Sequence, residues 1–579
     1  MSHMIPRPEY PRPSLVRPGD TWVNLNGTWE FEIDPCCSGF DRRIWEKPSL
    51  PQSILVPFAP ESSLSGVEHT DFMRAVWYRR TFTLSAPESR RVLLHFGAVD
   101  YRSDVWVNGK HAGFHVGGYT PFVLDITGLV LCGENTLVVA ARDDTRDPLQ
   151  PTGKQSDRFE NYGCMYTRTT GIWQTVWLEF VPETYITSVK LTPDVDNRAV
   201  HARVDFAGDA NGMELCAEVS FAGTACFAKS VKCQEKSVSF TLSFPDGVSP
   251  ELWDIGKPAL YDLKLRVGED VVETYFGMRK VCMRGYAFEL NDRPVFMRLV
   301  LDQGFWQDGI YTAPSDEALR KDIELSMAAG FNGARLHMKI FEPGTIYWAD
   351  HLGYLLWGEF PNWGLDDSRR DAYLSVQPEF LEELERDYNS PAIIGWCPFN
   401  ETRPQRCADI YRAMYRDIRA FDPNRPIIDT SGYVHFMTDI YDVHDYEQNP
   451  EHFRRRYQDE FLAGQVFRNF PEHETYLPGQ PYFVSEFGGT HWDIDCDPAD
   501  RGWGYGQAPK TLDEFYERFE GLISVLLDSP KICGFCYTQL TDVFQEKNGI
   551  YAFDRREKFD TARLCGIVSR KAAIEKDPV

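Results

Sequence analysis

The 579-residue chain lacks any apolar run that approaches the roughly 18 residues needed to cross a bilayer. Basic residues are also in deficit. Against 86 Asp and Glu there are only 61 Lys and Arg, and the formal net charge is −25. A surface this acidic repels phosphate backbones. We therefore expect neither a nucleic acid nor a membrane as a partner.

The sequence also lacks the short motifs of several enzyme classes. It contains no GxSxG elbow, no P-loop and no dinucleotide-binding fingerprint. The 14 cysteines are irregularly scattered, which does not indicate a disulfide framework. Cys533-x-x-Cys536 has metal-like spacing, but no second pair of ligands accompanies it. Reduced, buried thiols are expected, with no metal and no cofactor.

No signal peptide is visible behind the opening MSHM, which is typical of an expression-tag remnant. The sequence thus favours the cytoplasm, while the periplasm or secretion stays open if a signal peptide was removed. A homo-oligomer is compatible with the sequence but is not indicated by it.

Residues 1–183 consist of short runs in which apolar and polar residues alternate, a pattern that predicts half-buried strands. Asn108-Gly109 lies between two such runs and is typical of a type I′ hairpin turn, because both residues tolerate a positive φ. Residues 184–281 continue with a turn about every 8–12 residues. Both segments are predicted to be β-sandwiches, the second immunoglobulin-like.

After residue 282 the pattern changes to alternating strands and helices. One helix is predicted at 314–330, where Ser315 is a good N-cap and Gly330 is placed to end the helix. Eight apolar strands with helices between them, over residues 282–579, argue for a (β/α)8 barrel.

In such a barrel the residues just past the strands gather at one mouth, where chemistry takes place. The polar and aromatic residues in these positions are Asp302, Gln303, Arg335, His337, Glu359, Trp363, Asn400, Glu401, His444, Asp445, Tyr446, Glu486, Tyr537, Gln539 and Asp542.

Glu401 and Glu486 end strands four and seven, which face each other across the predicted mouth. Two carboxylates aimed at one point are what glycoside hydrolysis needs: one protonates the leaving oxygen, and the other attacks the sugar or positions water. Glu401 has a simpler alternative, because an acidic residue also stabilises the first turn of a following helix. Its pairing with Glu486 favours catalysis.

The segments around both carboxylates resemble glycoside hydrolase family 2. FNET (399–402) looks like the family's Asn-Glu motif, and YFVSEFGG (482–489) like its nucleophile strand. RTTGIWQTVWLE (168–179) is similar to its N-terminal sandwich. The resemblance implies a jelly-roll sugar-binding-like sandwich at 1–183, an immunoglobulin-like sandwich at 184–281 and a catalytic (β/α)8 barrel at 282–579.

The resemblance also implies residue roles. The activity would be that of a retaining exo-glycosidase on a carbohydrate substrate. Glu486 would be the nucleophile and Glu401 the acid/base, while Asn400 would bind the sugar 2-hydroxyl. Tyr446 resembles the family tyrosine that hydrogen-bonds and orients the nucleophile.

Three departures from the family's pattern concern the sugar. Met338 stands where many galactosidases and glucuronidases have His, and Met165 stands where their sandwich lends an Asp. The glucuronidase Asn-x-Lys motif corresponds to Glu546-Lys547-Asn548, and Glu546 would repel an acidic sugar. A β-galactosidase-type activity is therefore expected first, an L-arabinosidase or β-galactofuranosidase second, and a β-glucuronidase last.

The remaining candidates for sugar binding are Asp302, Arg335, His337, Glu359, His444, Trp503 and Gln539. Asp302 or Glu359 could supply a polar contact that the methionines do not. Glu359 could equally be a structural acid paired with Arg335, and His337 a structural histidine. Trp503 lies in a Gly-rich loop and could either stack on a sugar ring or simply be packed.

The sequence disfavours two other classes of protein. A catalytically silent carbohydrate-binding protein is disfavoured because both Glu401 and Glu486 are present. A metal-dependent barrel hydrolase is disfavoured because no HxH pair follows the first barrel strand.

Overall fold

The computed structural model describes residues 5–85, 90–495 and 502–576. Strands with alternating apolar residues form its first β-sandwich. Its strands are β1 (Trp22–Asn24), β2 (Gly27–Ile33), β3 (Gln52–Val56), β4 (Ala75–Leu84), β5 (Arg91–Phe96), β6 (Val99–Asp100), β7 (Arg102–Val107), β8 (Lys110–Val116), β9 (Phe122–Asp125), β10 (Gly133–Arg142), β11 (Gly171–Ile172) and β12 (Val176–Val181). A sheet in the order β3-β2-β4-β10-β7-β8 packs on a sheet in the order β1-β12-β5-β9. Asn108 and Gly109 form the predicted turn between β7 and β8, with φ angles of 50° and 75°.

The second sandwich has two smaller antiparallel sheets around a core of its own. Its strands are β13 (Tyr185–Asp194), β14 (Ala199–Ala207), β15 (Glu214–Phe221), β16 (Thr224–Lys232), β17 (Ser237–Ser243), β18 (Leu260–Val267) and β19 (Asp270–Gly277). The sheet orders are β13-β14-β17 and β16-β15-β18-β19. A small sheet of β20 (Val281–Arg284), β21 (Ala287–Leu290) and β22 (Arg293–Pro294) then leads into the barrel.

The rest of the chain forms a curled parallel sheet of the (β/α)8 type. Its strands are β23 (Met297–Asp302), β24 (Gly333–Leu336), β25 (Leu355–Glu359), β26 (Ile393–Cys397), β27 (Asn400–Thr402), β28 (Ser431–Tyr433), β29 (Tyr441–Asp445), β30 (Tyr482–Gly488) and β31 (Ile532–Thr538). Seven of them pair in the order β26-β25-β24-β23-β31-β30-β29, which places barrel strands one to four beside strands eight to six.

The helices of the barrel are α1 (Asp316–Ala328), α2 (Pro343–Leu352), α3 (Tyr373–Asp387), α4 (Ala408–Phe421), α5 (Pro450–Arg454), α6 (Leu512–Leu527) and α7 (Thr561–Val568). The predicted ends of α1 are confirmed. Ser315 caps it by accepting a hydrogen bond from the Ala318 N–H, and Gly330 follows it with a φ of 95°. None of the described helices is long and apolar enough to cross a membrane.

The predicted fifth barrel strand, 426–431, is irregular. Ile427 makes a single parallel bridge to Trp396, and pairing resumes only in the short ladder between β27 and β28. Pro426 has no N–H to give to a ladder. Asp429, a few residues on, accepts hydrogen bonds from the backbone of Phe436 and Met437 and so turns the chain back on itself. Side-chain hydrogen bonds that form a turn thus take the place of strand pairing in this segment.

The first sandwich docks directly on the barrel. Tyr119, Tyr166 and Trp173 belong to the same buried cluster as the barrel core. The Thr152 N–H donates to the carbonyl of Trp363 at 2.7 Å, in the loop that follows β25. The mouth of the barrel is therefore bounded on one side by a sandwich loop.

Close packing inside the barrel gives a test of the fold. A Cβ added at Gly395 in β26 would lie 2.2 Å from a ring carbon of Trp357. We expect Gly395→Ala to lower the free energy of unfolding by about 1–3 kcal/mol, because a packed core cannot absorb the extra atom. Gly566→Ala, on α7 with open space around it, should be neutral or stabilising. Equal urea midpoints for the two variants would contradict this packing.

Candidate active site

The guanidinium of Arg335, at the end of β24, lies at the centre of the barrel mouth. Its Nη2 is 2.8 Å from Glu359 Oε2, and its Nη1 is 3.2 Å from Glu486 Oε1. Nη1 also donates to the carbonyl of Ser485 at 2.7 Å, and Nη2 to Asn400 Oδ1 at 3.2 Å. One buried cation thus joins the ends of strands two, three, four and seven.

Glu359 is the internal counter-ion of this cation. Its side chain is fully buried, and its other oxygen lies 2.9 Å from His337 Nδ1. Burial raises the pKa of Glu359, although the charge of Arg335 opposes the shift. Burial lowers the pKa of His337 far below its usual range, so His337 is a neutral hydrogen-bond donor. This geometry matches the structural alternative for both residues.

Glu401 does not cap the following helix. It lies in β27 with a φ of 53°, whereas α4 begins at Ala408 with Cys407 in the N-cap position. A non-glycine residue in the left-handed region costs about 1–2 kcal/mol. Such strain is found where the surrounding structure holds a functional side chain in place. Asn400, next to it, is fixed by Arg335 and by a hydrogen bond from its N–H to Asn362 Oδ1.

His444 bridges the two candidate carboxylates. Its Nδ1 lies 2.9 Å from Glu401 Oε1 and 3.4 Å from Glu486 Oε2. One donor atom from each of these three residues lies within 4.8 Å of the others, so the group could hold a metal ion. The guanidinium of Arg335, bonded to Glu486, repels a cation from the same place. The cluster is better suited to moving protons than to binding metal.

Glu486 is held as an anion. Burial alone would raise its pKa, but the positive charges of His444 and Arg335 outweigh burial and lower the pKa below the usual range. Tyr446 donates its hydroxyl to Glu486 Oε2 at 2.5 Å, as the family resemblance implied. The Tyr446 ring is stacked on Tyr505 with ring centroids 3.4 Å apart. The carboxylate is therefore both ionised and oriented.

Three of the predicted binding residues have their contacts away from this pair. Asp302 accepts a hydrogen bond from the Gly304 N–H, because the chain turns directly after β23. Trp503 is half-buried and donates its indole N–H to the carbonyl of Gly163, so it fastens a sandwich loop. Gln539 accepts from Gln303 and donates to Asn548. The prediction that these three face the sugar is not supported by their contacts.

Both carboxylate oxygens of Glu546 also have hydrogen-bond partners in the protein. Its side chain is buried, with one oxygen bonded to the Tyr166 hydroxyl and the other accepting from Asn548 Nδ2 at 3.0 Å. Tyr166 comes from the first sandwich, so this acid links the two domains. Its carboxyl group is therefore held in place by residues of both domains.

Two family models match the sandwich domains. Glycosyl hydrolases family 2, sugar binding domain, matches residues 63–150, and Glycosyl hydrolases family 2 matches residues 184–279. The chain belongs to glycoside hydrolase family 2. The order of domains and the barrel-mouth carboxylates agree with that membership.

Curated relatives of this family 2 chain carry two different names. A putative β-glucuronidase of Formosa agariphila is 30% identical over 66% of the chain and 46% of that protein. A β-galactosidase of Thermoanaerobacter pseudethanolicus is 27% identical over 72% of the chain and 54% of that protein. The chain thus spans about half the length of the relatives it matches. A solved β-glucuronidase from an uncultured Clostridium sp. has the same fold, with a TM-score of 0.79 at 20% identity over 95% of this chain and 98% of that one.

Two residues of the family 2 site were not predicted from the sequence. Tyr433, with a φ of 65°, lines a cavity of about 290 Å³ together with Trp363, Asn400 and Glu401. Lys154, in the first sandwich, is buried with its Nζ 5.4 Å from the ring centroid of Trp363, which lines that cavity. Tyr433 lies in the irregular fifth segment, and Lys154 is more than 200 positions from its barrel neighbours. The sequence around Lys154, PTGK (151–154), indicates a turn but not a place in the site.

The buried pair of Arg335 and Glu359 gives a test that does not depend on activity. We expect Glu359→Gln to lower the free energy of unfolding by about 3 kcal/mol, since it leaves a buried guanidinium with less compensating charge. The matched control is Glu324→Gln, which breaks the surface pair of Arg320 and Glu324 at 2.8 Å and should cost less than about 0.5 kcal/mol. Similar small losses in urea unfolding would show that Glu359 is not a structural counter-ion.

Proposed function

We propose that this protein is a retaining exo-glycosidase that uses Glu486 as nucleophile and Glu401 as acid/base. The observation that carries the proposal is the close approach of the two carboxylates, whose nearest oxygens lie within 4.8 Å of each other. Retaining enzymes hold their carboxyl groups about 5–5.5 Å apart, whereas inverting enzymes need about 6.5–9.5 Å to admit a water. The spacing favours a covalent intermediate.

The reaction would proceed in two displacements. Glu486, ionised beside Arg335 and His444, attacks the anomeric carbon while Glu401 gives its proton to the departing oxygen. A glycosyl ester on Glu486 results. Glu401, now an anion hydrogen-bonded by His444, takes a proton from water, and that water releases the sugar. Asn400, positioned by Arg335, would hold the sugar 2-hydroxyl.

The cavity beside Glu401 would receive the leaving group. It measures about 290 Å³ and is lined by Trp363, Glu401, Arg403 and Tyr433 among others. An acid/base must lie next to the oxygen that departs, so an open space on this side of Glu401 suits the first step. The apolar ring of Trp363 offers a face for a sugar or an aryl group.

For the terminal sugar, we propose a neutral glycoside of the β-galactoside type, with an L-arabinoside or a β-galactofuranoside as the closest alternatives. Met338 and Met165 stand where many family members have His and Asp. Fewer polar side chains are therefore available to bind sugar hydroxyls than in those members. Glu546 supports a neutral sugar because its buried charge would repel a carboxylate.

A β-glucuronide is the second candidate, for one specific reason. The relative that is 30% identical bears the name putative β-glucuronidase. The buried ammonium of Lys154 could also pair with a uronate. The fixed charge of Glu546 argues against this substrate.

The pair of carboxylates can be tested by removing each in turn. Glu486→Ala and Glu401→Ala should each lower kcat on an aryl glycoside by at least about 10²–10⁴-fold, because each variant lacks a group that acts in the transition state. Azide should restore both, giving the glycosyl azide of inverted configuration with Glu486→Ala and of retained configuration with Glu401→Ala. Product configuration is read by NMR. Glu517→Gln, on the exposed face of α6, is the control and should keep the wild-type rate.

Two results would contradict this mechanism. An inverted product from the wild type would exclude the covalent intermediate on Glu486. Loss of activity in EDTA, restored by a divalent ion, would assign Glu401, His444 and Glu486 to a metal centre instead.

The sugar is tested by a panel of aryl glycosides. The panel contains β-galactoside, β-glucoside, β-glucuronide, α-L-arabinofuranoside, α-L-arabinopyranoside and β-galactofuranoside. We expect the highest kcat/KM on one of the neutral galactose- or arabinose-configured members. A preference of more than tenfold for the β-glucuronide would overturn the role given to Glu546.

A further inference from the structure

Lys154 is a buried cation that the mechanism above does not use. It is only 5% exposed, and among the described residues its ammonium has neither a hydrogen bond nor an ion pair within 4.0 Å. Its Nζ lies 5.4 Å from the ring centroid of Trp363. An ammonium with little access to water and no protein acceptor leaves its N–H donors available to a ligand that supplies acceptors.

The backbone around Lys154 is fixed to the barrel. The N–H groups of Thr152 and Gly153 donate to the carbonyls of Trp363 and Pro361, at 2.7 and 3.0 Å. The carbonyl of Lys154 accepts from the Tyr166 N–H at 2.8 Å. Gly153 has a φ of 59°, and a Cβ there would lie 2.5 Å from the carbonyl oxygen of Met338. These contacts restrict the conformation of the loop and therefore fix the position of the Lys154 side chain.

This placement brings Lys154 between the loops that follow strands two, three and eight. Trp363, under the ammonium, donates its indole N–H to the carbonyl of Asn400 at 3.3 Å and lines the same cavity as Glu401. Burial would lower the pKa of Lys154, but the neighbouring acidic groups, first Cys164 and then Glu546 and Glu486, raise it. The side chain is therefore protonated, and Trp363 lies between it and the cavity beside Glu401.

We propose that Lys154, lent by the first sandwich, binds a hydroxyl group of the terminal sugar other than the 2-hydroxyl and so positions the ring between Glu401 and Glu486. This inference rests on the proposed glycosidase function. A hydroxyl is a better fit than a carboxylate, because Glu546 is bonded to Tyr166, whose N–H donates to the Lys154 carbonyl, and would repel a second carboxylate there.

The test compares Lys154→Met with the wild type on the aryl glycoside that the wild type cleaves best. Loss of a hydrogen bond from a charged donor should lower kcat/KM by about 10- to 100-fold. The control is Lys110→Met, an exposed lysine at the start of β8 in the same sandwich, which should keep the wild-type value. Thermal unfolding of each variant reports whether the fold is kept.

A deoxy-sugar series separates binding from a merely structural or electrostatic role. Each hydroxyl of the terminal sugar except the 2-hydroxyl is removed in turn from the aryl glycoside. At the position that Lys154 contacts, removal should cost the wild type about tenfold or more in kcat/KM and cost Lys154→Met almost nothing. At the other positions the two enzymes should lose the same factor.

Equal losses for the two enzymes at every position would overturn the inference while leaving the glycosidase assignment intact. A loss in Lys154→Met confined to the β-glucuronide would overturn it too, because the acceptor would then be a carboxylate. A wild type that cleaves no member of the panel would overturn the proposed function, and this inference with it.

Discussion

The buried guanidinium of Arg335 is the interaction on which the site depends. Four groups that carry or orient reactive side chains accept its hydrogen bonds: Glu359, Glu486, Asn400 and the Ser485 carbonyl. Carboxylates buried without such a partner would become protonated or would destabilise the strand ends, since desolvating a charge costs several kcal/mol. Because His444 and Arg335 together hold Glu486 as an anion, the electrostatics that stabilise the fold here also prepare the proposed nucleophile.

The barrel alone does not complete the site. The first sandwich supplies Tyr166, which binds Glu546, and Lys154, which lies over Trp363. In return, Trp503 of the barrel holds the carbonyl of Gly163. These contacts cross the domain boundary in both directions. Domain docking is therefore part of building the site.

Sequence reasoning succeeded where the signal is local or periodic. The Asn108-Gly109 turn, the Ser315 cap and the strand ends that carry Glu401 and Glu486 all follow from neighbours within a few positions. It is weaker where contacts come from distant segments. The hydrogen bonds of Trp503 to Gly163 and of Gln539 to Asn548 have no signal in the sequence, and contact of either residue with the sugar stays a prediction. No sequence pattern indicates Lys154, because its place over Trp363 arises only from domain docking.

The departures from the family's pattern lie on this same domain boundary, and that location has a consequence. Met338 is buried with a φ of 54°, and its carbonyl faces Gly153 so closely that only glycine fits there. Met165 belongs to the sandwich loop that carries Tyr166. Neither methionine has a hydrogen bond to Arg335 through its side chain, because a thioether is at best a weak acceptor. Residues in this loop can therefore vary without altering the charge balance that keeps Glu486 ionised. Under the proposed function, the barrel strands carry the reaction type, and the boundary with the sandwich carries the choice of sugar.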